Sequence, residues 1–236
     1  MTPLLVVAAG ALAVLAGAGV LLSFGARYRV GRLLASTPRI SIAEAIGLAE
    51  GGARRYVRID GRLDSDQDFP DEHQRPLVYR RRRLQLRRLG QWRSLEEDVD
   101  AVPFEIREGL AGIAIDHVAL THGLVVLPRE SLGTAGEIPD RVPAGTPSHL
   151  PARMRVEQIS SVEHAIVLGM PLRGEGGIRI TAGGGRPLVL TTLEVPEAMR
   201  ILGGGRGRPL AAALLLGGGL ALLAAGLAWA LVSALR

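Results

Sequence analysis

The chain has 236 residues, 28 basic and 23 acidic side chains, a net charge of +5 and no cysteine, and every basic residue is an arginine. Without cysteine there is no disulfide, thiolate nucleophile or Cys-ligated zinc; without lysine there is no Schiff base and no Walker-type phosphate loop. Cysteine absence is compatible with either side of a membrane.

Thr2–Ala26 carries no charged side chain, and neither does Pro209–Leu235. At about 1.5 Å per residue each makes a helix of roughly 37 Å, longer than the ~30 Å hydrocarbon core of a bilayer. Nothing basic precedes Leu4, and the first run exceeds the short apolar core of a secretory signal. It therefore reads as a retained anchor. The reading is a membrane protein with two transmembrane helices, residues 1–26 and 209–235, flanking a β-rich α+β domain at residues 27–208. Small residues recur every fourth position, at Ala9, Ala13 and Gly17 and at Gly217, Ala221 and Ala225. Such stripes let helix backbones approach in lipid, so packing of the two spans on each other is one reading; the other is that Ala and Gly simply abound in both spans.

Arg27, Arg29, Arg32 and Arg39 follow the first span, and Arg200, Arg206 and Arg208 precede the second. The far side offers only the N-terminus and Arg236. The positive-inside bias puts the domain in the cytoplasm of a cell-membrane protein, with those seven arginines near lipid headgroups. Tyr28 and Trp229 lie near span ends, where amphipathic aromatics favour the headgroup layer.

Ser41-Ile-Ala-Glu44 fits a capping box opening a short helix to Glu50, which Gly51-Gly52 stops. Period-two patterning then predicts strands at Tyr56–Asp60, Leu77–Arg80, Phe104–Arg107, Gly112–Asp116 and Leu124–Leu127. Residues 133–152, with Pro139, Pro143, Pro147 and Pro151, read as a surface loop. Strands resume at Met154–Ile159, Ala165–Leu168, Ile178–Thr181 and Leu188–Thr191, and a last short helix runs from Pro196 to Leu202.

The run Arg80–Arg83, with Arg87 and Arg88, is the loudest polar feature. On a strand its side chains alternate between faces. Leu89-Gly90 reads as a turn, and a hairpin there sets Glu96, Glu97, Asp98 and Asp100 opposite the arginines, where cross-strand ion pairs neutralise them. Anionic lipid is the second reading of the run, and nucleic acid is disfavoured because no aromatics interleave with it. Asp64-x-Asp66-x-Asp68 opens like a calcium loop, but Phe69 replaces its glycine and Arg75 its final glutamate, so it reads as a solvated turn. His73, His117, His122, His149 and His164 show no metal-ligand spacing. Gly183-Gly-Gly185 reads as a hairpin turn. No catalytic, cofactor-binding or metal-ligating residue is assigned, and no cofactor is expected.

Three segments, YVRIDGRL at Tyr56–Leu63, RPLVYRRRRLQLRRLGQW at Arg75–Trp92 and VPFEI with IAID between Val102 and Asp116, carry a family likeness. Together with the two-span layout they resemble the GIDE proteins, as a prokaryotic-type member. These are membrane-anchored ubiquitin ligases whose beside-a-membrane (BAM) domain lies between two spans. The resemblance implies a BAM-type module next to the bilayer. In the ligases catalysis belongs to a zinc-binding RING, which a Cys-free chain cannot build. The leading expectation is a non-enzymatic, membrane-anchored interaction or scaffold module with an unknown protein partner. The alternatives are a transferase component by descent, its RING supplied by another subunit, or an anionic-lipid or envelope-stress sensor. Mitochondrial members hold this domain on the intermembrane side, opposite to the arginine bias.

Overall fold

The computed structural model describes residues 3–23, 25–120, 123–174, 176–202 and 207–234. The chain opens with helices α1 (Pro3–Ser23), α2 (Gly25–Ser36) and α3 (Ile42–Glu50). Strands β1 (Val57–Asp64), β2 (Phe69–Pro70), β3 (Pro76–Arg88), β4 (Gln91–Ala101), β5 (Glu105–Glu108) and β6 (Ala111–Ile115) follow. Then come β7 (Leu124–Val125), β8 (Arg129–Thr134), β9 (Pro151–Ser160), β10 (His164–Gly174), β11 (Gly177–Thr181) and β12 (Val189–Thr191). Helices α4 (Val195–Leu202) and α5 (Gly207–Ala234) close the described chain. The residues group into two units, a helical one (Met1–Ala35 with Met199–Arg236) and a β-rich one (Ser36–Ala198).

In the helical unit, α5 carries an uninterrupted apolar run, Leu210–Ser233, with mean hydropathy 2.2 over its most apolar window, long enough to cross a bilayer. The apolar run of α1, Leu4–Val20, is shorter. The two helices pack antiparallel: Val7 lies against Gly226, Val14 against Gly219 and Gly17 against Leu216. The contact depends on glycine. A Cβ on Gly10 would sit 2.8 Å from the Leu223 amide nitrogen, and one on Gly219 would sit 2.9 Å from the Gly10 carbonyl oxygen. The seam differs from the stripes expected from sequence. It uses Gly10 and Gly17 on one helix and Ala212, Gly219 and Gly226 on the other, all buried, whereas Ala9, Gly217, Ala221 and Ala225 are exposed. Seven residues make two turns at 3.5 per turn, the repeat that keeps one face on a neighbour in left-handed packing; four-residue spacing suits the opposite crossing. Leu4, Leu5, Leu12 and Leu15 of α1 and Leu214, Leu220, Leu227 and Leu231 of α5 face outward. Of the aromatics expected at span ends, Tyr28 falls on α2 and Trp229 on α5, the latter half exposed.

The β-rich unit starts with the capping box: the Glu44 amide donates to the Ser41 hydroxyl at 3.2 Å, and the Ser41 amide donates to the Glu44 carboxylate at 2.9 Å. The helix this starts, α3, buries Ile42 and Ala45 in the main core, packed on β10. Strand β1 alternates as its sequence does, with Val57, Ile59 and Leu63 inward and Arg58, Asp60 and Arg62 outward. It pairs with β5 on one edge and β10 on the other, so the order β1-β5-β6-β11-β10 closes on itself as a five-stranded barrel. Strands β7 and β12 prolong two of its staves. The β6–β11 and β7–β12 pairings are parallel and the rest antiparallel. Counted along the chain the staves run first, second, third, fifth, fourth, the layout of small Greek-key barrels such as the OB-fold. That layout hosts many functions and by itself names none.

Two insertions between barrel strands build a second, antiparallel sheet. The β1–β5 connection supplies β2, β3 and β4, and the β7–β10 connection supplies β8 and β9. Strand β3 has thirteen residues, about 40 Å at 3.3 Å each, and forms the spine of an arm. Its root is in the barrel core through Val78, Tyr79 and Ile159. Farther out, Leu86, Ala135 and Ala152 form a small second core, flanked by Leu95, Ile138, Val142 and Leu150.

The sequence reading differs here. Residues 133–152 are not a plain surface loop: β8 runs to Thr134, β9 starts at Pro151, and short 3-10 turns lie at Ala135–Glu137 and Pro139–Arg141. The Ala135 amide donates to the Leu150 carbonyl and the Gly136 amide to that of Ser148, which closes the segment over the small core. Pro151 is tolerated as the first residue of its strand.

Candidate interaction surface

The arginine run lies on β3, and the hairpin register sets Arg80 opposite Asp100, Arg82 opposite Asp98 and Arg83 opposite Glu97. Arg80 donates to Asp100 at 2.8 Å, and Arg82 donates to Asp98 and Asp100. On the other face the acid that matters comes from β9. Glu157 is 4% exposed and accepts from Arg81 Nε at 2.8 Å and Arg83 at 2.8 Å, with Arg155 at 3.1 Å. Burial alone would raise the Glu157 carboxyl. The charge and hydrogen bonds of Arg81, with Arg83 and Arg155, reverse that and hold it below the usual carboxylate range. Glu130 of β8 extends the ladder to Arg153 and Arg155. Arg153 also donates to Gln85 at 2.7 Å and stacks 4.4 Å above the Trp92 ring. The run is thus largely consumed by the arm's own acids. Sequence reasoning found Asp98 and Asp100, but Glu96 faces Leu84 and binds Arg141 instead, and it missed Glu157, although Arg155 and Glu157 share one face of a predicted strand.

A different surface is open at one end of the barrel. Arg62, Leu63 and Asp64 of β1, Arg107 and Gly109 of the β5–β6 hairpin, and Ser161 and Val162 of the β9–β10 turn line a cleft of about 510 Å³. The register sets Arg62 directly opposite Arg107 on β5 and opposite His164 on β10, so three exposed basic side chains share one row across adjacent strands. Like charges directly opposite are unfavourable, and nearby acids offset them: Arg107 donates to Asp64 at 2.7 Å and lies 3.3 Å from Glu105, and the Asp64 charge acts on Arg62 as well. The Arg107 hydrogen bond is also the main cause of the lowered Asp64 pKa, helped by the Ser65 amide and opposed by burial. Arg62 has no ion-pair partner among the described residues. Two apolar side chains rise beside this row: Leu110, 97% exposed in the turn after Gly109, and Val162, 54% exposed. Next to Val162 in the chain, the half-buried Glu163 has its carboxyl pKa raised from its ordinary value, chiefly by desolvation.

The membrane-proximal arginines fall in different places. Arg29 and Arg32 are exposed on α2, whose Val30, Leu33 and Leu34 are buried; Arg200 is exposed on α4. Arg39 lies 3.3 Å from Asp60 of β1, and that acid is bound also by Arg58 at 2.7 Å. Arg27 falls on α2 and Arg208 on α5, while Arg206 lies outside the described residues, as do His122 and Arg236. Gly31 lets α2 approach the Met199 sulfur, which a Cβ there would meet at 3.1 Å.

The would-be calcium loop is dismantled by its own neighbours. Asp64 turns to Arg107, Asp66 and Asp68 are exposed, and Arg75 binds Asp71 at 2.6 Å. Asp71 also accepts the His73 and Arg75 amides at 2.7 and 2.9 Å, which closes the β2–β3 turn. His117 lies beside the Phe104 ring, and His73 and His149 are exposed. Gly183–Arg186 forms the tight turn expected, with Gly184 and Gly185 at positive φ. In comparisons with protein-family models, curated proteins and solved structures, the chain matches none.

Proposed function

We propose that the chain is a membrane-anchored, non-enzymatic interaction module that holds its barrel and arm beside a bilayer and engages a protein partner at the barrel end. The observation that carries this reading is a cleft that sets exposed Val162 beside Arg62 and Arg107, with exposed Leu110 following Gly109 of its lining. An apolar centre with a polar, arginine-bearing rim is the anatomy of a protein-binding patch. The anchor is a two-span reading. Helix α1 lies antiparallel along α5 with its leucines outward, so a bilayer that accepts α5 receives α1 with it. This layout around a β-rich domain supports the likeness to the BAM-type module, and the sequence holds no cysteine for a RING.

The test is a photo-crosslinking residue at Leu110 or Val162 in native membranes. The expected result is one discrete protein adduct from both sites, lost on Arg62→Glu. Adducts to lipid alone, or none from either site, would contradict the reading.

The arginines beside both spans orient the domain toward the cytoplasm in this proposal. A cytoplasm-only fluorescent reporter inserted at Ala144-Gly145, in the exposed turn between the two short 3-10 turns and β9, is expected to light up. Fluorescence from an export-dependent reporter at the same site would reverse the orientation.

A further inference from the structure

The ion-pair ladder neutralises the arm along most of its length and stops short of its end. From Leu86 to Leu95 the chain holds Arg87, Arg88 and Arg93 and no acid. All three arginines are exposed, and the next acid along β4, Glu96, is taken by Arg141 at 2.6 Å. Arg88 contacts only a hydroxyl, that of Thr146 at 3.4 Å, among the described residues.

At the tip itself the two-residue turn places Leu89 at φ +50° and Gly90 at φ +78°, with Arg88 paired to Gln91 across it. Both positions of such a turn favour Gly, Asn or Asp, and a leucine there is a poor choice for the hairpin. Leu89 is 100% exposed, so packing does not explain it either. Beside it Trp92 is half-buried, with Arg153 stacked on its ring.

We propose that this hairpin tip is a membrane-docking element that inserts Leu89 into an anionic bilayer surface while Arg87, Arg88 and Arg93 bind lipid phosphates. The aliphatic Leu89 stands at the apex, with Arg88 in the first row behind it, Arg87 opposite Trp92 in the second and Arg93 in the third, so an apolar tip leads a basic collar that also carries an aromatic ring. On entering a bilayer such a tip meets the acyl boundary with its apolar apex, while the arginines and the amphipathic ring lie at the headgroup level with its phosphates. A nucleic-acid surface would present several free aromatic faces for stacking; here the single ring is covered. The docking bilayer is either the one that anchors the chain or one apposed to it, and the chemistry at the tip is the same for both.

The Cys-free sequence gives a clean test. Leu89→Cys, labelled with an environment-sensitive fluorophore, is placed in full-length protein in phosphatidylcholine nanodiscs, with or without one-third phosphatidylserine. Vesicles of the same two compositions are added to phosphatidylcholine discs in a second arm. The expected result is a blue shift, quenched by spin-labelled acyl chains, with phosphatidylserine in at least one arm and not with phosphatidylcholine alone. Replacing Arg87, Arg88 and Arg93 together with Gln should weaken docking at least tenfold, with the melting temperature unchanged. A label at Leu110→Cys should stay silent. The unlabelled chain in phosphatidylcholine discs should bind the anionic vesicles several-fold better than its Leu89→Ser variant. A Leu89 label blind to phosphatidylserine in both arms overturns the proposal, as does a full response from the triple variant. So does a shift given by a single-stranded oligonucleotide where anionic vesicles give none. Failure of the anchored reading is distinguishable, because the chain then does not enter discs while the vesicle arm still reports on the tip.

Discussion

Glu157→Gln should destabilise the β-rich unit by about 3–5 kcal/mol, because it leaves buried guanidinium charge without its counter-ion. Arg81 and Glu157 are both under a tenth exposed, and Arg83 and Arg155 converge on the same carboxylate. Burial of one acid against three cations is favourable only while the acid is charged. For a domain of this size the loss corresponds to a fall of about 10 °C or more in melting temperature. It is read by tryptophan fluorescence of the detergent-solubilised full chain carrying Trp229→Phe, which leaves Trp92 as its one tryptophan. Glu97→Gln, which removes an exposed acid opposite Arg83, is the control and should stay within about 0.5 kcal/mol. The sign of the pH dependence follows from the lowered pKa. The folded chain holds fewer protons on Glu157 than the unfolded chain, so this stability is fully present above the ordinary glutamate pKa. It is lost as pH falls through the depressed folded value, and the Gln variant should lack that component.

Gly219→Val should separate α1 from α5, while Gly217→Val two residues away should not. A side chain at Gly219 meets the Val14 amide nitrogen and the Gly10 carbonyl at 2.9 Å, backbone atoms that move only if the helices part. Nothing lies within 4 Å of a Cβ at Gly217. The cost at Gly219 is about 1–3 kcal/mol, roughly a 5- to 150-fold shift in the ratio of packed to parted helices. Spin labels on cysteines placed at Leu4 and Leu231, both exposed, report it in bilayers as a longer and broader distance distribution. Equal broadening by the two variants would mean that the seam is not where the glycines put it.

These two sites also show where sequence reading stops. The capping box at Ser41, the turn at Leu89-Gly90 and the Gly183–Arg186 turn are local: each is decided within a few residues, and each has the expected form. The pairing of Arg80 and Arg82 with Asp98 and Asp100 is nearly local, since a hairpin fixes its own register. Glu157 joins Arg81 across 76 positions, and no hairpin rule reaches that far. Strand β8 hides because four of its six residues are exposed and lack an apolar face to set a period. Closure of the barrel through the β1–β10 pairing is likewise a property of the whole chain. In the helices, alanine and glycine are so frequent that several small-residue stripes coexist, and only the partner helix selects one. The cleft at Arg62 was invisible for the same reason: its row is assembled from three strands far apart in sequence.

The central claim is that paired terminal helices hold the barrel and arm at a bilayer, and extraction of membranes with alkaline carbonate tests it most directly. The full chain should stay in the membrane pellet. A chain lacking residues 1–23 should stay there too, held by Leu210–Ser233, and only loss of both α1 and α5 should release the β-rich unit. A full-length chain that washes into the supernatant would contradict the account.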